Sequence, residues 1–155
     1  MKSRKGISLG KLKRTPADDW FSKCIRERTN WTCELCKREY PDAQAKGSSM
    51  SLDCSHLFSR GNWSVRFNPD NAFCHCYGCH SRFGGDRDLQ RRHHEDIFGS
   101  GLYEIILEKK NDPSIGRLMR KQVKEIAKFY KHEFQVMREK RADGVTGRIE
   151  FNAYD

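Results

Sequence analysis

The cysteines and histidines are the residues of this chain best suited to metal chemistry, and four of the cysteines form two pairs with the spacing Cys-x2-Cys. Such a pair lets two thiolates reach one tetrahedral ion, and a second pair completes a closed structural site. We therefore predict a structural Zn²⁺ ion bound by Cys33, Cys36, Cys76 and Cys79. A redox dithiol is less well supported, because the sequence predicts neither pair in the strand-to-helix context of thioredoxins.

Three residues near these cysteine pairs could take part in a reaction. His56 and Asn71 lie between the two pairs, and His80 directly follows Cys79. Hydrolysis of a phosphodiester needs a base that activates water and a divalent ion that neutralises charge on the phosphate. A neutral histidine suits the first task near pH 7. His56 could be this base, His80 could bind the ion, and Asn71 could hold the His56 loop or ring. Taken singly, each also fits an ordinary surface, core or turn residue.

The bulk composition points to a polyanionic partner. The formal net charge is +9 and the pI is about 9.3, which favours nucleic acid. No apolar stretch approaches the length of a membrane span, so no membrane partner is expected. The mean hydropathy of −0.89 implies a lean core that a metal ion would help to stabilise.

The N-terminal segment lacks the apolar stretch of a secretory signal. We therefore expect a cytoplasmic protein with reduced cysteines, a setting that favours zinc over disulfides.

Local patterns predict a helix before the first cysteine pair. Thr15 is suited to be the N-cap and Pro16 the first helical residue, and the apolar face should include a buried Cys24. The helix should end near residues 29–30.

Further along, the sequence predicts a polar loop at 43–49, strands at 50–56 and 65–67, and a helix that begins at the second cysteine pair and stops at Gly84–Gly85. Three more helices are predicted, at 86–98, 101–110 and 114–140.

The segment Asn71-x4-Cys76-x2-Cys79-His80 resembles the end of the motif in HNH nucleases of the ββα-metal (His-Me finger) superfamily. Over residues 20–140 the chain is similar to the phage NinG, or Rap, recombination nucleases. Four segments carry this wider resemblance, and they are Phe21–Arg28, Ser55–Arg60, Arg66–Phe67 and His94–Gly99.

This resemblance implies an α+β fold with a small zinc-stapled ββα core, a helix before it and a helical C-terminal extension. The expected organisation is a flexible basic arm (1–14), a nuclease core (15–98), a helical extension (99–143) and a tail (144–155). The resemblance also implies roles for three residues: His56 as general base, Asn71 as its orienter and His80 as a ligand of a catalytic Mg²⁺ or Mn²⁺ ion. The expected substrate is branched DNA, such as a Holliday junction, in a phage-infected bacterial cell.

The chain departs from the family pattern at one position, because the metal-binding aspartate that usually precedes the base is Ser55 here. Hard divalent ions prefer oxygen ligands, which makes Asp53 a candidate replacement. Ser55, Asp70 or a shell made only of water are the alternatives.

Basic residues should supply affinity for the DNA backbone. Arg60 and Arg66 flank the expected groove, and Lys11, Lys13 and Arg14 belong to the basic arm. A homodimer formed through the long C-terminal helix would suit a junction substrate. Two other functions remain open. One is a site-specific homing or nicking HNH endonuclease, and the other is a non-catalytic zinc-dependent DNA-binding accessory protein.

Overall fold

The computed structural model describes residues 12–155. Within this range the protein combines helices with one two-stranded antiparallel sheet, which is an α+β arrangement. The helices are α1 (Pro16–Arg28), α2 (Pro41–Lys46), α3 (Tyr77–Gly84), α4 (Arg87–Phe98), α5 (Leu102–Lys110), α6 (Pro113–Lys121) and α7 (Val123–Ala142), and the strands are β1 (Leu52–His56) and β2 (Ala72–Cys76). No helix in this part of the chain is long and apolar enough to cross a membrane.

Helix α1 begins where the sequence predicts it. The hydroxyl of Thr15 accepts a hydrogen bond from the backbone N–H of Asp18, and the Asp18 carboxylate accepts one from the N–H of Thr15 at 2.7 Å. This capping box satisfies N–H groups that the helix cannot pair internally. The predicted burial of Cys24 is also confirmed, since its thiol donates to the carbonyl oxygen of Tyr130 in α7 at 3.3 Å.

The sheet and the helix that follows it form a ββα unit. Leu52 pairs with Cys76 and His56 pairs with Ala72, so β1 and β2 are aligned over their full length. Helix α3 begins at Tyr77, directly after β2, and its C-cap is Gly85. The predictions of a first strand near 50–56 and of a helix starting at the second cysteine pair are confirmed.

The second strand was predicted at the wrong place. Residues 65–67 lie in a series of turns, in which the N–H of Val65 bonds to the carbonyl oxygen of Asn62 and the N–H of Asn68 to that of Val65. Val65 and Phe67 are buried, so their apolar character reflects packing of a folded loop and not the alternation of a strand. The actual second strand is Ala72–Cys76.

Two other expectations need correction. Part of the predicted loop at 43–49 is helical, since α2 extends to Lys46 and ends at Gly47 in the left-handed region (φ 62°). The predicted single helix at 114–140 is divided at Gln122 into α6 and α7. The two helices serve different partners: α6 packs with Gly116 against Ser64, whereas α7 packs along α1.

The segment after α7 has no regular secondary structure but packs on the core. The N–H of Ile149 bonds to the carbonyl oxygen of Arg28 at 3.0 Å, and the N–H of Tyr154 bonds to the hydroxyl of Tyr130 at 3.1 Å. The Tyr130 ring contacts Phe21 of α1 with centroids 5.1 Å apart. Helix α7 and the segment after it thus support α1, which forms one wall of the site described next.

Candidate metal centre and active site

The four predicted zinc ligands converge. The sulfur atoms of Cys33, Cys36, Cys76 and Cys79 all lie within 4.8 Å of one another, and the sulfurs of Cys36 and Cys76 are 3.9 Å apart. Four thiolates around a tetrahedral Zn²⁺ ion are separated by about 3.8 Å, given a Zn–S bond of about 2.3 Å. The donor set and its geometry therefore fit a structural zinc ion.

Hydrogen bonding within the cluster already favours a thiolate at one position. Burial opposes the ionisation of Cys76, but hydrogen bonds from the N–H of Cys79 and from neighbouring side chains outweigh it and lower the pKa of Cys76 to about 7. The N–H of Cys76 in turn donates to the sulfur of Cys33 at 3.3 Å. A bound dication would favour the thiolate form of all four side chains.

Glu34, which lies between the first two cysteines, joins the cluster to the sheet. Its carboxylate accepts a hydrogen bond from the N–H of Cys74 at 2.7 Å, and its own N–H donates to the carbonyl oxygen of Cys74 at 2.8 Å. Arg148 donates to the same carboxylate at 2.6 Å. Glu34 consequently attaches the first cysteine pair to β2, the strand that ends at Cys76.

A polar cleft of about 720 Å³ lies between α1, β1 and α3. Its walls bring together His56, His80 and the candidate metal ligand Asp53 with two arginines from the predicted DNA-binding set and several residues of α1. The lining residues are Arg14, Asp18, Phe21, Ser22, Arg26, Ser49, Asp53, Cys54, His56, Ser59, Arg60 and His80. Such a concave site with converging titratable groups is the natural candidate for an active site.

His56 is held in the form that a general base requires. Its Nε2 lies 3.1 Å from the carbonyl oxygen of Arg66, and because a carbonyl oxygen only accepts, Nε2 must carry the hydrogen. Nδ1 is then an acceptor, and it has no hydrogen-bond partner within residues 12–155. Burial lowers the pKa of His56 to about 4, although the bond to Arg66 favours the charged form. The imidazole is therefore neutral at pH 7.

Asn71 fixes the loop between His56 and Arg66. The side chain is fully buried; its Nδ2 donates to the carbonyl oxygens of Phe58 and Val65, at 3.0 and 3.1 Å. Its Oδ1 accepts from the N–H of Phe58 at 2.8 Å. Asn71 thus acts on both ends of the loop that carries the partner of His56 and not on the imidazole ring itself.

Asp53 and His80 form the second polar group in the cleft. Oδ2 of Asp53 lies 3.1 Å from Nδ1 of His80, and both side chains are partly exposed. A carboxylate oxygen beside an imidazole nitrogen is a donor set that suits Mg²⁺ or Mn²⁺ with water completing the shell. The alternatives to Asp53 lie elsewhere: Ser55 is fully buried and Asp70 does not line the cleft.

The predicted DNA-binding residues have different positions. Arg14 and Arg60 line the cleft, Lys13 is exposed beside a neighbouring groove, and Lys11 lies outside the described residues. Arg66 requires a correction. It is only 1% exposed, and its Nε and Nη2 donate to the two carboxylate oxygens of Asp18 at 2.9 and 2.7 Å. This bidentate ion pair leaves Arg66 no access to a phosphate.

Several polar residues of the cleft were not predicted from the sequence, among them Ser22 and Arg26 of α1. A signal was present, because a serine and an arginine four residues apart lie on the same face of a helix. Only the apolar residues of this helix were used to predict which residues it buries.

None of the family models, curated proteins or solved structures compared with the chain matches it. The site itself is therefore the basis for assigning a function.

Proposed function

We propose that this protein is a divalent-metal-dependent DNA endonuclease of the HNH type. One observation carries the proposal: the neutral His56 and the Asp53–His80 pair line the same cleft. These are the two components that hydrolysis of a phosphodiester requires, a base for water and ligands for a divalent ion. Arg14 and Arg60 on the walls of the cleft supply positive charge for the DNA backbone.

In the proposed reaction, Nδ1 of His56 takes a proton from a water molecule, whose oxygen attacks the phosphorus in line with the bond that breaks. The products are a 5′-phosphate and a 3′-hydroxyl, and the leaving oxygen is protonated from solvent. Asp53 and His80 would hold Mg²⁺ or Mn²⁺, which when bound neutralises charge on the phosphate and on the leaving oxygen. Asn71 and Arg66 keep the His56 ring in place through the loop between them.

The preferred substrate is branched DNA at recombination intermediates, such as Holliday junctions, and the place of action is the cytoplasm of a phage-infected bacterium. This choice comes from the resemblance to the phage recombination nucleases. It agrees with the net charge of +9, which supplies backbone affinity without reading sequence. A homodimer would place two clefts on a junction, and its mass in solution is measurable by light scattering.

The experiment that tests the proposal compares wild type, His56→Ala and His132→Ala. His132 is an exposed histidine of α7 and serves as the matched control. End-labelled Holliday junction, Y-junction, duplex and single-stranded DNA are incubated with Mg²⁺, Mn²⁺ or no divalent ion. We expect metal-dependent cuts near branch points by wild type and by His132→Ala, and none by His56→Ala.

Two results would favour the alternatives. Cuts at one duplex site, independent of branching, would indicate a homing or nicking enzyme. DNA binding by all three proteins without any cleavage would indicate a zinc-dependent accessory protein. This alternative is retained because Ser55 stands where the nucleases that the chain resembles have a metal-binding aspartate.

A further inference from the structure

Arg26 of α1 is a buried cation that lacks an acidic partner in the described part of the chain. It is 5% exposed and lines the cleft. Its Nη2 donates to the hydroxyl of Ser22 at 3.2 Å, whereas its Nε is buried without a hydrogen-bond partner. No carboxylate within residues 12–155 forms an ion pair with it. The guanidinium carbon lies 5.5 Å from the centre of the Trp31 ring, which offers a cation a favourable face but no counter-charge. A buried guanidinium is normally paired with an anion, and here a ligand would have to supply the negative charge.

A second guanidinium converges on the same hydroxyl. Nη2 of Arg14 donates to Oγ of Ser22 at 3.1 Å, and this hydroxyl in turn donates to the carbonyl oxygen of Asp19 at 3.0 Å. Arg14 also pairs with the exposed Asp19 carboxylate, which leaves Arg26 as the uncompensated charge. The two guanidinium groups are thus held beside one serine, an arrangement that a bound anion would stabilise.

We propose that Arg26, Arg14 and Ser22 form a phosphate-binding site on the α1 wall of the cleft. The guanidinium groups bind one phosphate group of the nucleic acid strand, beside the phosphate that is cleaved at Asp53 and His80. Planar guanidinium groups match phosphate oxygens in geometry and charge. The identity of the strand as DNA rests on the proposed function, whereas the recognition of phosphate rests on the residues of α1.

The test uses the full chain with its zinc and without added Mg²⁺ or Mn²⁺, so that binding is measured apart from cleavage. The variants are Arg26→Gln, Arg14→Gln and the control Arg117→Gln, which removes the same charge from an exposed position on α6. Binding of fluorescent branched DNA is measured by anisotropy at several salt concentrations. Arg26→Gln should weaken binding by about tenfold, as expected for loss of a charge-assisted contact. It should also reduce the salt slope by about 0.9. Arg117→Gln should change affinity much less.

Thermal unfolding supplies a readout that a purely structural role would not produce. Inorganic phosphate should raise the Tm of wild type and of Arg117→Gln but not that of Arg26→Gln. Without phosphate, Arg26→Gln should be at least as stable as wild type, because it removes an unpaired buried charge. Arg14→Gln, a change at an exposed position, should weaken the phosphate response without affecting folding.

Retention of DNA affinity and of the phosphate response in both Arg26→Gln and Arg14→Gln would overturn the proposal. A lower Tm of Arg26→Gln with an intact phosphate response would mean that Arg26 is structural. Failure of the nuclease proposal looks different: wild type would bind phosphate and DNA through Arg26 and yet cut no substrate.

Discussion

The carbonyl oxygen of Arg66 lies 3.1 Å from Nε2 of His56, and the side chain of the same arginine is bound by Asp18 of α1. One residue thus fixes the tautomer of the candidate base through its backbone while its side chain ties the loop to the first helix. Although burial disfavours a charged Asp18, hydrogen bonds from Arg66 and Thr15 keep the pKa of Asp18 below its usual value. The geometry of His56 therefore depends on an ion pair that does not itself contact the imidazole.

Removal of this ion pair should strongly destabilise the folded protein. Asp18→Asn leaves the Arg66 charge buried without a counter-ion, and we expect a loss of about 3 kcal/mol in the free energy of unfolding. Asp19→Asn breaks only the exposed pair with Arg14 and should cost less than about 1 kcal/mol. Urea unfolding of the zinc-bound proteins measures both. Equal losses in the two variants would show that the Asp18–Arg66 pair has no special role.

The protonation state of His56 can be observed directly. The pKa of about 4 predicts that imidazole ¹⁵N chemical shifts report a neutral ring with the hydrogen on Nε2 from pH 8 down to about pH 5. On the acid side, cleavage should then stay constant through pH 6.5, the usual histidine pKa. A titration midpoint near 6.5 for this ring would contradict the burial argument.

The same pKa shift has a consequence for stability. Because the folded pKa lies below the unfolded value, the unfolded chain binds more protons between about pH 4 and 6.5. The contribution of neutral His56 is complete above about pH 6.5 and is lost as the pH falls through 4. His56→Gln should therefore show a shallower decline in the free energy of unfolding over this range than wild type.

The zinc site predicts one metal ion per chain and a selective effect of its ligands. Cys36→Ser should lower the zinc content measured by elemental analysis and lower the Tm, since metal binding contributes to folding. Cys24→Ser also changes a cysteine, but one that donates to the Tyr130 carbonyl and is not among the four clustered sulfurs, and it should retain a full equivalent of zinc. A wild-type protein without zinc, folded to the same extent, would exclude a structural role for the cluster.

Asp53→Ala separates the proposed catalytic ion from the structural one. We expect cleavage to require a higher Mg²⁺ concentration and to fall by about 10- to 100-fold, as is typical for loss of one group at a metal site. The zinc content should remain at one equivalent. Asp42→Ala, which removes an exposed acid from α2, provides the control. Unchanged metal dependence of Asp53→Ala would remove Asp53 from the proposed site.

Some of this structure could be predicted because its determinants are local. The capping residues of α1, the Gly85 stop of α3 and the spacing of the cysteines each act within a few residues along the chain. The proximity of Asp53 and His80 was an open alternative. The two residues are close because Asp53 lies on β1, which pairs with β2, and His80 lies on α3, which begins directly after β2.

Other features depend on contacts that a linear pattern does not reveal. Arg66 resembles an exposed basic residue until Asp18, 48 positions earlier, is found beside it. The strand Ala72–Cys76 was missed because its first four residues are all buried and therefore lack the alternation of a half-exposed strand. From its residue type alone, His75 would be expected at the surface. His75, however, is buried with Nε2 lying 3.0 Å from Nε2 of His93. The break at Gln122 was invisible to periodicity because α6 and α7 both keep an apolar face while packing on different partners.

The dependence of α1 on α7 and on the segment after it has a consequence for the order of events during translation. The Phe21 ring on α1 packs against Tyr130, and the carbonyl oxygen of the last residue of α1 accepts from the N–H of Ile149. Both partners leave the ribosome more than a hundred positions after α1 itself. In a nascent chain these contacts of α1 therefore form only late in synthesis, and α1 is fixed as a wall of the cleft only then. Pulse-labelling hydrogen exchange during refolding should accordingly show the amides of α1 and α7 becoming protected in the same kinetic phase, and early protection of α1 alone would contradict this coupling.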